Sequence, residues 1–245
     1  MRVDAFLDIL ARASRWTAHD VVAVLRGGAL RPRVALSLAV LLPLCVRARP
    51  GSEDESFVHL TALVVPACAF LWGRTWASVS EPRLRLLRAV LPEAPRLGRA
   101  IVAGQTLALA SMTFGLTGAA VAARTGTPFT DVLATGRVAF ASAFAFAGLG
   151  VASEPIRGLA ILLVPVILAH FRAMRGFASA FVPTTHAHAL TIDPPSGLEA
   201  RVRFAALLAF GALGIARFAL MPAGRTRADA GPGRAAIPGR GAGAA

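Results

Sequence analysis

The chain has 245 residues, of which 56% are hydrophobic and 16% are charged, with a formal net charge of +13 and a mean hydropathy of +0.62. Soluble domains contain about 25% charged residues, so this composition argues against a water-soluble protein and predicts an integral membrane protein. All 26 basic residues are arginine, and a chain without lysine has no phosphate-loop motif for nucleotide hydrolysis.

The N-terminal segment, residues 1–33, is predicted to lie at the cytoplasmic face of the membrane. Within residues 3–16, charged side chains share one helical face and large apolar side chains cover the opposite face. Such an amphipathic helix directly before a span most simply lies in the membrane interface, with a separate partner-binding helix as the alternative. Gly27, Gly28 and Pro32 then interrupt the chain before the first span.

Six charge-free apolar runs follow, and they predict an all-α, polytopic membrane bundle of about six transmembrane helices over residues 34–221. Helices are favoured over a barrel because the runs are continuously apolar and do not alternate. A span needs about 20 mostly apolar residues, so the shorter runs must borrow flanking arginines whose side chains reach the interface. The runs are 34–46, 57–73, 100–123, 138–153, 158–171 and 204–216.

The distribution of arginine predicts the orientation of these spans. With a cytoplasmic N-terminus, 18 arginines fall in inside segments and 8 in outside segments, which is the bias of the positive-inside rule. We therefore expect a multi-pass protein of the plasma (inner) membrane of a bacterium, with both termini cytoplasmic. Because no soluble face collects the positive charge, no nucleic-acid partner is expected.

The connection between the second and third runs has the most informative pattern. Residues 81–92 open with a glutamate and a proline, which suit the first turn of a helix, and close with a proline that ends it. The leucines fall in one apolar arc, with Arg85 and Arg88 on the other side. The sequence thus predicts a short amphipathic helix on the cytoplasmic side. Taken alone, it could simply rest on anionic lipid.

This pattern resembles the membrane (permease) subunits of type-two ATP-binding-cassette exporters, and the resemblance covers most of residues 1–221. About six spans, an interfacial helix before the first and a proline-containing stretch at 181–186 before the last are also similar. One departure is that the family often has glycine and a second acid where this chain has Pro82 and Arg83. The matching positions are Glu81, Leu84, Leu86, Leu87 and Pro92, followed by the run from Ala100.

The resemblance implies that residues 81–92 form a coupling helix that binds a separate ATP-binding subunit. It also implies a homodimer or heterodimer of membrane subunits in the lipid bilayer. Arg85 and Arg88 would meet acidic residues of the ATPase, and the leucines would either seat in its groove or press against the bundle. The chain by itself is then not an enzyme and needs no cofactor. The implied interface residues are Glu81, Leu84, Arg85, Leu87, Arg88 and Leu91.

The third run carries polar side chains among small ones, namely Gln105, Ser111 and Thr113. Helix packing is the default interpretation, because small residues permit close approach and hydroxyls bond back to their own backbone. The alternative is that these three residues line a substrate path. No paired carboxylates or zinc-binding pattern appears, so no catalytic or metal site is predicted.

The segment 154–203 allows two interpretations. Either the fifth helix extends beyond the run at 158–171, or residues 177–192 re-enter the membrane, broken at Pro183. His186 and His188 are interpreted as exposed loop residues, since positions two apart do not share a helix face. Residues 222–245 are predicted to be a disordered tail. The alternative to export is a non-transporting membrane scaffold or assembly factor.

Overall fold

The computed structural model describes residues 11, 64–79, 81–90, 94–152, 181–192 and 196–221. In this part of the chain there are six helices and no strand, which confirms the predicted all-α class. The helices are α1 (Val65–Val79), α2 (Glu81–Val90), α3 (Pro95–Arg124), α4 (Phe129–Ala152), α5 (Pro183–Ile192) and α6 (Gly197–Leu220).

Three of these helices, α3, α4 and α6, are long and apolar enough to cross a membrane, with 30, 24 and 24 residues. Together they indicate a membrane-embedded protein. Helices α3 and α6 contain the predicted runs 100–123 and 204–216 and extend beyond them, and α4 covers the run at 138–153 up to Ala152 and begins nine residues before it. In α4, for example, the helix takes in the exposed residues Asp131 and Arg137 before the run begins, because charged side chains near a helix end can reach the interface.

Several predictions fall on residues outside the described ranges. These are the amphipathic helix at 3–16, the apolar runs at 34–46 and 158–171, and the tail at 222–245. The number of spans and the domain boundaries therefore stay predictions. The run at 57–73 is described from Val64 onward, where α1 continues past Gly73 to Val79.

Helix α4 lies at the centre of the described bundle, where it packs against α1, α3 and α6. Ten of its last twelve residues contribute to the buried interior, most of them alanine and glycine. Where α4 crosses α6, the two backbones touch: a Cβ added to Gly148 would lie 2.8 Å from the Cα of Gly211, and one added to Gly214 would lie 2.6 Å from the Cα of Gly148. Such small side chains allow membrane helices to approach closely.

The contact between α4 and α1 is equally close. A Cβ on Gly73 would run into the backbone carbonyl of Ala147, and one on Gly150 would run into the carbonyl of Phe70. Larger side chains fill the remaining interior, with Phe70, Phe114 and Phe146 at most 2% exposed. In the described core, glycine and alanine thus allow the helices to pack closely, and aromatic rings fill the remaining space.

The turn between α3 and α4 is short and carries its own polar bonds. The Thr125 hydroxyl donates to the carbonyl oxygen of Ala122 at 2.7 Å and lies 2.7 Å from the Thr127 hydroxyl. Gly126 follows with φ of +83°, a conformation that side-chain-bearing residues rarely adopt. This turn reverses the chain so that α3 and α4 pack as a hairpin.

Candidate functional site

Helix α2 is the first candidate site, and the structure confirms the predicted short helix as Glu81–Val90. Leu84 and Leu87 are only 1% and 3% exposed, whereas Arg85 is exposed and Arg88 is half-buried. The predicted division into a leucine face and an arginine face therefore holds at these four positions. Leu91, the last predicted interface residue, lies outside the described ranges.

The buried leucines of α2 pack against their own chain. A Cβ on Gly98 in the first turns of α3 would lie 3.2 Å from the Leu87 Cβ, and α2 packs on α3 and, to a lesser extent, on α1. Of the two roles open to the leucines, the structure favours pressing against the bundle. Leu84 and Leu87 therefore face the bundle, and Arg85 lies on the exposed side of α2.

Arginines surround this packed helix. The stretch from residue 74 to residue 99 contains six arginines against Glu81 and Glu93. Arg96, in the first turn of α3, is exposed like Arg85, whereas Arg99 is buried at 7% exposure. We call Arg85, Arg88 and Arg96 the basic edge, to which Arg88 contributes only in part because its Nε and Nη2 are covered by protein. Its net positive charge suits an acidic protein surface or an anionic headgroup.

The polar residues predicted as a possible substrate path lie along α3, away from α2. Ser111 is completely buried and donates to the carbonyl oxygen of Leu107 at 2.6 Å. The half-buried Thr113 donates to the carbonyl oxygen of Leu109 at 2.8 Å. Both hydroxyls are therefore bonded within the helix, as the packing interpretation expects. Gln105 is half-buried, and a substrate path along α3 stays a prediction.

Helix α5 is a second candidate site, and it corrects the prediction of a histidine-bearing loop. Residues 183–192 form a helix that begins at Pro183, where proline is tolerated because its missing N–H would have had no partner inside the helix. His186 is buried at 6% exposure and its ring centroid lies 6.3 Å from that of Phe210 in α6, whereas His188 is exposed. The histidines point to different sides of one helix.

The two threonines in the first turn of α5 differ in their hydrogen bonding. Thr185 donates both its N–H (3.1 Å) and its hydroxyl (2.7 Å) to the carbonyl oxygen of Val182. Thr184 is 5% exposed, and its buried hydroxyl has no hydrogen-bond partner among the described residues. Sequence reasoning missed Thr184; the available signal was a proline followed by two threonines, which is typical of a helix start.

No group of three potential metal ligands comes together in the part of the chain that the structure describes. Cys68, on α1, is buried in the apolar core. Comparisons with protein-family models, with curated proteins and with solved structures give no match for this chain.

Proposed function

We propose that this protein is the membrane-spanning permease subunit of an ATP-driven exporter, coupled to a separate ATP-binding chain. The observation that supports this function best is helix α2, whose leucines are buried against the bundle while Arg85 is exposed. A helix held in this way can receive a push on its outer face and pass it to α3. A helix that merely rested on lipid would direct its apolar face toward the membrane.

The packing of α2 supports a specific route for coupling. Closure of an ATPase around ATP would bear on the basic edge, and the contact of Leu87 with Gly98 would carry the movement into the first turns of α3. Helix α3 packs along α4, and α4 contacts α6 through backbone. ATP binding would thereby favour one packing of the bundle over another by differential contact.

The same proposal includes the number of spans and their orientation in the membrane. We place about six spans in the plasma (inner) membrane with both termini in the cytoplasm, and we expect two membrane subunits per complex, identical or different. The excess of arginine on the assigned inside segments supports this orientation. A reporter fused at residue 80 should accordingly be accessible from the cytoplasm only.

Co-purification tests the coupling. The full chain would be extracted from its native membrane in mild detergent, and we expect an ATP-hydrolysing chain to co-purify. Because Leu84 and Leu87 are buried within the chain, the informative variant is Arg85→Glu with Arg88→Glu, which reverses charge without removing the leucine packing. The matched control is Arg124→Glu, since Arg124 is exposed at the far end of α3, about 40 Å from its start.

The double charge reversal should reduce recovery of the ATPase at least tenfold, and the Arg124 variant should leave it unchanged. Equal recovery of the ATPase with the wild-type chain, the double variant and the Arg124 variant would contradict a coupling role for α2. Recovery of partners that hydrolyse no ATP would instead favour the alternative function, a membrane scaffold or assembly factor.

A further inference from the structure

Helix α5 lies against α6 in such a way that the first turn of α5 is beside the middle of α6. Phe210, beside His186, lies thirteen residues after Gly197, or about 20 Å along α6 at about 1.5 Å per residue. The link from Ile192 to Gly197 reaches at most about 18 Å even when fully extended. Helix α5 must therefore run back along α6 toward Gly197, with its N-terminal end beside the middle of α6.

A helix that begins inside a membrane bundle brings unsatisfied donors with it. The first N–H groups of a helix have no partner within it, and the aligned peptide dipoles give this end a partial positive charge. In α5, Pro183 has no N–H, and Thr185 directs both of its donors to Val182. Thr184 is left as the first-turn residue whose N–H has no acceptor inside the helix.

The Thr184 side chain adds a second donor at this end of the helix. Its hydroxyl is buried and has no hydrogen-bond partner among the described residues, and leaving such a group unmatched is unfavourable. Because Cα–Cβ bonds in a helix tilt toward its N-terminus, the hydroxyl lies at the same end as the Thr184 N–H. Two donors from one residue therefore face the end of α5.

The bound group that fits two donors and a partial positive charge is an oxyanion. Ala187, one turn further along on the same face of α5, is also buried, so little water reaches the Thr184 hydroxyl and electrostatic attraction is stronger there than in bulk water. Phe210 is the middle residue of the charge-free stretch 204–216, about 10 Å along α6 from both Arg203 and Arg217. A charged group at this level would belong to a molecule in transit rather than to a resting bilayer lipid. In known membrane transporters, the N-termini of interrupted transmembrane helices bind anionic groups of the substrate.

We propose that the N-terminal end of α5 binds the phosphate group of a transported molecule, with the Thr184 N–H and hydroxyl as donors. The Thr184 hydroxyl is covered by protein in the present conformation, so phosphate binding requires a conformation in which this hydroxyl is uncovered. This site requires the membrane bundle but not the ATPase. Phosphate binding at α5 can therefore be tested independently of the coupling role of α2.

Thermal unfolding of the full chain in dodecyl maltoside tests the site, because this detergent has no phosphate. One arm adds phosphatidic acid and compares it with diacylglycerol of the same chains, which differs only by the phosphate. The other arm adds inorganic phosphate and compares it with chloride at equal ionic strength. A probe at about 100 times its dissociation constant should raise the midpoint by about 5–10 °C.

Two valine variants isolate the donor. Thr184→Val should abolish the shift and, without probe, should unfold at the same or a higher temperature, since the removed hydroxyl has no partner. Thr191→Val is the matched control on the same helix, because the Thr191 hydroxyl already donates to the Ala187 carbonyl oxygen at 2.6 Å. It should keep the shift. Thr184→Ser, which keeps a hydroxyl, should keep it too.

A further variant separates this site from the basic edge. Arg85→Gln with Arg88→Gln should leave the probe-induced shift intact if the phosphate binds at α5. A shift with phosphatidic acid alone assigns the phosphate to a lipid-like molecule, and a shift with inorganic phosphate assigns it to a soluble one. The proposal is overturned if neither probe raises the midpoint, if Thr184→Val retains the shift, or if the double arginine variant removes it.

Discussion

The long helices and the two short helices of this protein are built on different chemistry. Helices α1, α4 and α6 meet through glycine and alanine, with backbone atoms in contact at Gly148, Gly211 and Gly214. The short helices α2 and α5 instead join a buried apolar face to polar groups, the arginines of α2 and Thr184 of α5. The bundle therefore supplies a close-packed frame, and the side chains to which we assign partner and ligand binding lie on the short helices.

The sharpest test of this contrast is a side chain added at the backbone contact. Gly148→Val should lower the free energy of unfolding by about 3 kcal/mol or more, because the atoms nearest to the added side chain are backbone atoms of Gly211, which cannot move aside as a flexible side chain can. The matched control is Gly104→Ala on α3, where an added Cβ meets nothing within 4 Å. Denaturation in mixed detergent micelles gives both values. Equal stability of the two variants would contradict close backbone packing of α4 against α6 at Gly148.

The next largest effect should come from the buried face of α2. Leu84→Ala should destabilise the protein by about 2–3 kcal/mol, as expected for a leucine that is 1% exposed. Arg85→Ala, one residue along on the exposed side, should change stability by less than about 0.5 kcal/mol. If the two variants unfolded alike, α2 would not be an integral part of the frame, and the coupling route through Leu87 would lose its support.

A hydroxyl inside the frame offers a finer comparison. Ser142 in α4 is completely buried, and its hydroxyl has no hydrogen-bond partner among the residues described. Ser142→Ala should therefore raise the free energy of unfolding by about 1 kcal/mol. Ser111→Ala should lower it by up to about 1 kcal/mol, since it removes a bond of 2.6 Å to Leu107. The same detergent denaturation measures both. A loss of stability on removing the Ser142 hydroxyl would reveal a polar function within the apolar frame.

The smallest effect is expected at the start of α6. Arg203 donates from Nε and Nη2 to the Glu199 Oε1 at 2.9 and 2.7 Å, and the side chains are 29% and 59% exposed. Glu199→Gln should lower stability by no more than about 0.5 kcal/mol, because solvent and salt screen such pairs. The difference from wild type should shrink further in 0.5 M salt. A persistent loss would mean that this end of α6 is more deeply embedded than its exposure indicates.

Sequence patterns predicted α2 well because its signals are local. A glutamate and a proline at the start, leucines in one arc and arginines in the other need no knowledge of the rest of the fold. The same reasoning failed at α5, where no periodic apolar stripe marks the helix and Pro183 suggested a break. That proline turned out to be the first residue of a helix. Which hydroxyl in its first turn lacks a partner depends on neighbours that the sequence does not reveal.

The amino-acid sequence by itself determined that the chain is helical and membrane-embedded, since long apolar runs can satisfy their backbone groups in lipid only within a helix or a closed barrel, and these runs lack alternation. Only the tertiary structure decided that α4 is the central helix, that the leucines of α2 face their own bundle and that α5 turns back along α6. Membrane helices are all apolar outside, so hydrophobicity does not choose their neighbours; the fit of glycine against backbone does.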